Sequence, residues 1–269
     1  MERCLMLRLQ TQGCAAEVWL NDVPIGRVSA RTSTLCLPVH EYLLAGSNRL
    51  EMVIDPPMPG QPSAAPTVKI TDGVVGACAR LLLPRVGGVG HESQARTLAE
   101  LVWAAADGDV YQSGHRVSVN ADLPVKFPRW RWLDAPPIEV AGQLDDMKPL
   151  VAGFLQRLAI SMAKGDVASF VLASRLKLEE LALAYQQPVA DVSARLLSRL
   201  ELLHVTKALK MVIPDADMLC LRACANGRLL ECLDSQAEPI LRTMPAPDGS
   251  HTSWPVRIAI VNAQCHILR

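Results

Sequence analysis

The apolar residues follow one period up to about residue 138 and another after residue 146, and no single regular layer accommodates both. In the first stretch, short runs alternate apolar and polar residues, the two-residue repeat of half-buried strands. These runs cover 4–9, 16–20, 34–37, 49–54, 67–70, 78–83, 97–103, 116–119 and 130–133, and Gly, Pro, Asn and Asp clusters separate them. That pattern predicts an all-β, jelly-roll-like sandwich. From Met147 the repeat is helical: Met147, Leu150, Val151, Phe154, Leu155, Leu158 and Met162 form one stripe. Asp145 and Asp146 precede it, where the helix dipole favours acids, and Lys164-Gly165 ends it. A second helix is expected over 167–186. A third begins at Pro188, with Val189, Val192, Leu196, Leu200 and Leu203 on one face. Strand returns over 208–213, in a hairpin, over 239–243 and over 256–268. The polar, two-proline stretch 136–146 is the expected linker, giving domains 1–138 and 139–269. Residues 58–66 read as a proline-rich surface loop.

The hairpin has the strongest local signal. Met218 to Leu233 reads MLCLRACANGRLLECL, two strand-like runs joined by Asn226-Gly227. A type I′ turn needs positive φ at both central residues, which Asn-Gly supplies. A two-residue turn there sets Arg222 opposite Glu231, Ala223 opposite Leu230, Leu221 opposite Cys232 and Cys220 opposite Leu233. One sheet face then carries Leu219, Leu221, Ala223, Leu230 and Cys232, an expected core face. The other mixes Cys220, Arg222, Cys224, Leu229, Glu231 and Leu233. That face is too apolar for open solvent and too charged for a dry core. It is expected to be covered by a second copy, by the first domain or by a partner, with Arg222–Glu231 at the rim.

Two resemblances follow from quoted stretches. AEVWLNDVPIGRVSA followed by LPVHEYLLAGSNRLEMVI, about residues 16–54, resembles the galactose-binding-like jelly rolls found as accessory domains of glycosidases. Leu43, Gly46, Asn48 and Leu50 match the Leu-x-x-Gly-x-Asn-x-Leu element, while Leu44 lies one residue nearer the glycine than the spacing wants. Asn21-Asp22 and Gly26 fill the turn region. The resemblance concerns architecture, with Gly46 and Asn48 in local turn roles rather than sugar contacts. The order of three helices and a strand meander over about 144–269 is similar to the NTF2-like (SnoaL-like) α+β family, in which helices pack into a bent antiparallel sheet around a conical pocket. The first helix, the Gly165-Asp166 break, the hairpin and the closing SWPVRIAIVNAQCHI segment carry it. That family holds enzymes, transporters and dimerisation domains, so it does not fix a function. What it implies is a cone, whose lining candidates are His204, Tyr185, Asp217, Trp254 and His266, with Tyr185, Trp254 and His266 kept as pocket candidates, and pairing of two copies through the outer sheet face.

The search for chemistry points away from catalysis. The six histidines show no HExxH spacing and the eight cysteines no Cys-x-x-Cys. Cys220 and Cys224 would share a strand face ~13 Å apart, too far for one metal. Cys265 and His266 are strand neighbours whose side chains diverge, and there is no G-x-S-x-G elbow. The Gly87–Gly90 cluster lacks the Lys-Ser/Thr of a phosphate loop. No metal, cofactor or catalytic residue is assigned. The run Phe127-Pro128-Arg129-Trp130-Arg131-Trp132 is the most unusual composition. If extended, it places Trp130 and Trp132 on one face and Arg129 and Arg131 on the other. Such residues serve as partner hot spots or sugar platforms, or close a core. Lys+Arg and Asp+Glu both number 27, which gives no electrostatic pull toward nucleic acid or anionic membrane. The start, MERCLMLRLQTQG, has too interrupted an apolar run for a signal peptide, no later run would span a bilayer, and scattered thiols suit a cytoplasmic protein. The expectation is a non-enzymatic binding protein that holds a protein partner, in an immunity or secretion-accessory role. Its partner-binding candidates are Trp130, Trp132, Arg129, Arg131, Arg222, Leu229 and Glu231. The alternatives are a small-molecule enzyme or carrier using the Tyr185–Trp254–His266 pocket, and a glycan-binding module.

Overall fold

The computed structural model describes residues 4–29, 32–59, 66–71, 73–85, 95–123, 126–138 and 140–269, without the side chains of 140–143. It is a mixed α/β structure, mostly strand, with several antiparallel sheets and, among the described residues, four α-helices. Two compact units are formed: Met1–Pro57 with Gln61–Arg129, and Met58–Gly60 with Trp130–Arg269.

The first unit holds β1 (Met6–Gln12), β2 (Ala16–Leu20), β3 (Val23–Val28), β4 (Thr34–Pro38), β5 (Gly46–Ile54), β6 (Thr67–Lys69), β7 (Val74–Pro84), β8 (Ala95–Ala106), β9 (Val110–Gln112) and β10 (His115–Leu123). Two four-stranded sheets run β4-β1-β7-β8 and β10-β5-β2-β3, beside a β6-β9 ribbon. Leu7 and Leu9 of β1 and Ala77, Ala79 and Leu81 of β7 are buried at alternate positions, as the two-residue period requires. β3 and β9 were not expected. Gly26 reads as part of the turn region, but Asn21 (φ 52°) and Asp22 (φ 62°) complete the reversal alone and pairing resumes at Leu20–Val23. Gly26 answers to space rather than to backbone angle, since a Cβ there would lie 2.3 Å from the Leu35 side chain.

Asn48 shows why its loop keeps its shape. Its Oδ1 accepts from the Leu44 N–H (2.7 Å) and from Asn21 Nδ2 (2.8 Å). Its Nδ2 donates to the Leu44 carbonyl (2.9 Å) and the Gly46 carbonyl (3.0 Å). Every hydrogen-bonding position of this buried amide is thus spent on the loop. Asn48→Ala is expected to cost about 2–3 kcal/mol in a denaturant melt, because its buried partners lose their bonds with it.

The second unit holds α1 (Val140–Ala163), α2 (Val167–Ala173), α3 (Arg175–Ala184), α4 (Val189–Val205) and the antiparallel meander β11 (Cys220–Cys224), β12 (Leu229–Leu233), β13 (Arg257–Val261) and β14 (Gln264–Ile267). The hairpin register is the one that Asn226-Gly227 predicts, Arg222 opposite Glu231 and Cys220 opposite Leu233. Asn226 (φ 54°) and Gly227 (φ 77°) are both left-handed. Val151, Leu155, Leu158 and Met162 of α1 pack with Phe170 of α2 against Leu230, Cys232, Ile258 and Ile267 of the sheet. The predicted helical stripe is therefore the core face, with Leu150 at its exposed edge.

Four expectations are corrected. The expected linker 136–146 is helix from Val140 on, so a boundary at Leu144 would cut α1 in its second turn. The helix over 167–186 is two helices, interrupted at the buried Ser174. Among the described residues, the stretches 208–213 and 239–243 contribute isolated bridges, Met211–Thr243, Leu233–Pro239 and Arg242–Ser253, rather than strands. The closing strand is a second hairpin, reversed at Asn262 (φ 50°) and Ala263 (φ 57°), with Val261 paired to Gln264.

Candidate functional site

The tryptophan pair does not lie on a strand. Arg131–Asp134 is one turn of 3-10 helix, and Trp130 and Trp132 are 0% and 1% exposed. Neither ring is an open platform. The Trp130 ring carries the Arg269 guanidinium 5.4 Å from its centroid. Arg269 in turn pairs with Glu180 of α3, a carboxylate that also accepts the Arg131 backbone N–H. Both partners of that ion pair are buried. Arg131 reaches outward to Glu179 (2.6 Å). Arg129 is exposed.

The Arg222–Glu231 pair is not at a solvated rim either. Arg222 Nε donates to Glu231 Oε2 (2.9 Å) and Arg257 Nη2 to Glu231 Oε1 (3.1 Å), a triad in which Glu231 and Arg257 are buried. Leu229 has no exposed surface in the single chain, so it presents nothing to a second copy or an outside partner. Arg257 was missed, because β13 pairs with β12 from a distant part of the chain.

The three pocket candidates do not converge. Trp254 packs inside the helix–sheet core, edge-on to Phe170 with centroids 6.4 Å apart. Cys265 lies against the same core, and strand alternation sends its neighbour His266 to the opposite face. Tyr185 caps the C-terminus of α3, half-buried.

All eight cysteines are outside disulfides. Burial pushes Cys14 and Cys265 up to about 11 and Cys232 well above its ordinary value, so all three are protonated at neutral pH. Among the described residues no three His, Cys, Asp or Glu gather into a metal site. The Gly87–Gly90 cluster lies outside the described residues, as do most of the 58–66 loop and Arg31.

The feature with open chemistry is a cleft between α2 and α4, about 240 Å³, lined by Ala168, Val171, Leu172, Arg175, Ser193 and Leu197. Residues 168, 171 and 172 recur at helical spacing on the α2 wall and 193 and 197 on the α4 wall, and Arg175 joins the first wall from the start of α3. α2 is set by Asp166, whose Oδ1 accepts the Ser169 N–H (3.3 Å). Gly165 precedes it at φ 89°, where a Cβ would lie 2.6 Å from the His204 imidazole, so only glycine fits. α2 reads VASFVLA, apolar on all sides: Val167 and Phe170 turn inward, while Leu172 is 71% exposed. α4 buries Leu200 fully and leaves Leu202 and Val205 exposed. That apolar circumference is the sequence signal that marked the groove and was not used. At the cleft's end Arg175 Nη1 lies 3.0 Å from Glu179. The hydrogen bond from Arg131 holds the Glu179 carboxyl below its usual range, with Arg175 adding to the effect.

Comparison with known protein families, curated proteins and solved structures finds no match. Among the described residues, no helix is long and apolar enough to cross a membrane.

Proposed function

We propose that this chain is a non-enzymatic cytoplasmic interaction protein that holds a protein partner in the groove between α2 and α4. The carrying observation is the exposure of Leu172 at 71% beside Val171 and Leu197, in a cleft whose walls are two helices. Exposed leucine beside a preformed groove is the form in which partner helices are bound. The first unit is read as a jelly-roll-like sandwich of the galactose-binding-like kind serving as scaffold, supported by its two four-stranded antiparallel sheets. The second is read as NTF2-like in element order, supported by helices packed on one face of a four-stranded meander. Eight cysteines outside disulfides support a reducing compartment.

Leu172→Glu tests the reading. An exposed substitution of this kind is expected to leave stability within about 0.5 kcal/mol. Proteins retained by the wild-type chain from its own cells, identified by mass spectrometry, are expected to be lost from the Leu172→Glu chain. Retention of the same proteins at the same levels would remove the groove as the site.

A further inference from the structure

We infer that the segment seated in this groove is an acidic amphipathic helix, with apolar anchors on Leu172 and Leu197 and a carboxylate on Arg175. This rests on the groove being the partner site. On the α2 wall the lining runs from Ala168 to Leu172, about 7 Å of helix, and Arg175 at the start of α3 extends it, a length that suits between one and two turns of a bound helix. Such a helix would offer apolar residues at i and i+3 or i+4.

The sign of the partner's charge follows from the groove's end. Arg131 and Arg175 share one carboxylate, Glu179, at 2.6 and 3.0 Å. Glu180, the next residue, is taken by Arg269. At the groove's end two guanidiniums, those of Arg131 and Arg175, thus meet the one carboxylate of Glu179, an excess of positive charge. The α4 wall adds only Ser193 and Leu197 to the lining. With 63% of its side chain exposed, Arg175 retains donors for a second carboxylate. A basic, apolar surface also suits an anionic lipid, but a lipid surface is met by a flat or convex face, whereas this one is concave between two helices.

The test is selection from a displayed library of helical peptides on the whole chain, with counter-selection on Leu172→Glu. Survivors are expected to carry an apolar pair one helical turn apart with Asp or Glu beyond it. Arg175→Glu is expected to weaken them about tenfold, with recovery when the peptide acid is changed to Lys. Arg175→Gln, which adds no repulsion, is expected to give a smaller loss. Survivors that are neutral or basic, or that bind Arg175→Glu equally, overturn the acidic assignment and leave the groove reading standing. A selection that yields no binder sensitive to Leu172→Glu overturns the groove reading itself. Co-sedimentation with phosphatidylserine vesicles that both substitutions abolish would replace the helix with a lipid surface.

Discussion

Trp130→Ala is expected to lower the free energy of unfolding by about 3–5 kcal/mol, the large-to-small penalty for a buried aromatic. The ring is among the largest fully buried side chains, and it carries the Arg269 guanidinium on its face. Its removal therefore opens a cavity and takes away a cation–π contact in one step. Urea denaturation measures the loss as a shift in midpoint at unchanged slope. A loss below about 1 kcal/mol would mean that the site collapses around the smaller side chain or that Trp130 is not part of the core.

Glu180→Ala is expected to cost a similar amount, about 3–5 kcal/mol, for an electrostatic reason. It takes the paired carboxylate from the Arg269 guanidinium, 2% exposed, and the acceptor from the Arg131 N–H. Removing both charges, as Glu180→Leu with Arg269→Met, is expected to recover much of the loss, because a buried ion pair repays its own desolvation only in part. Trp130 and Glu180 both act on Arg269, so their single-mutant losses should not add. A double-mutant cycle reads that coupling directly. Additive losses would mean that Arg269 is not the shared element.

How far local sequence reached depends on how far apart the interacting residues are. The first hairpin was legible in full, because Asn226-Gly227 fixes the turn length and turn length alone sets the register. The second hairpin has the same backbone form, yet Ala263 occupies the position where glycine would have announced it. The alternation of Val256 to His266 then reads as one long strand. The stripe on α1 was legible because about four turns of periodic apolar residues, Met147 to Met162, outweigh any single exception. The helix start was not: Val140 to Leu144 follows two prolines and contains Gly142, so it passes for linker, and its helicity follows from the turns that succeed it.

The candidate site was least legible. Groove walls come from α2 and α4, and each wall alone reads as an ordinary apolar helix face. Which apolar residues stay outside depends on how the two helices pack, since α2 has more apolar surface than one core can take. The buried Arg269–Glu180 pair joins residues 89 positions apart, and Arg257 meets Glu231 across 26. Periodicity and turn chemistry act within a few residues, so the sequence by itself determined the strand and helix periods, the first hairpin's register and the inward face of α1. The tertiary structure alone decided the partners of the buried charges, the inward turn of Trp130 and Trp132, and the exposure of Leu172, because each follows from which distant surfaces exclude water together.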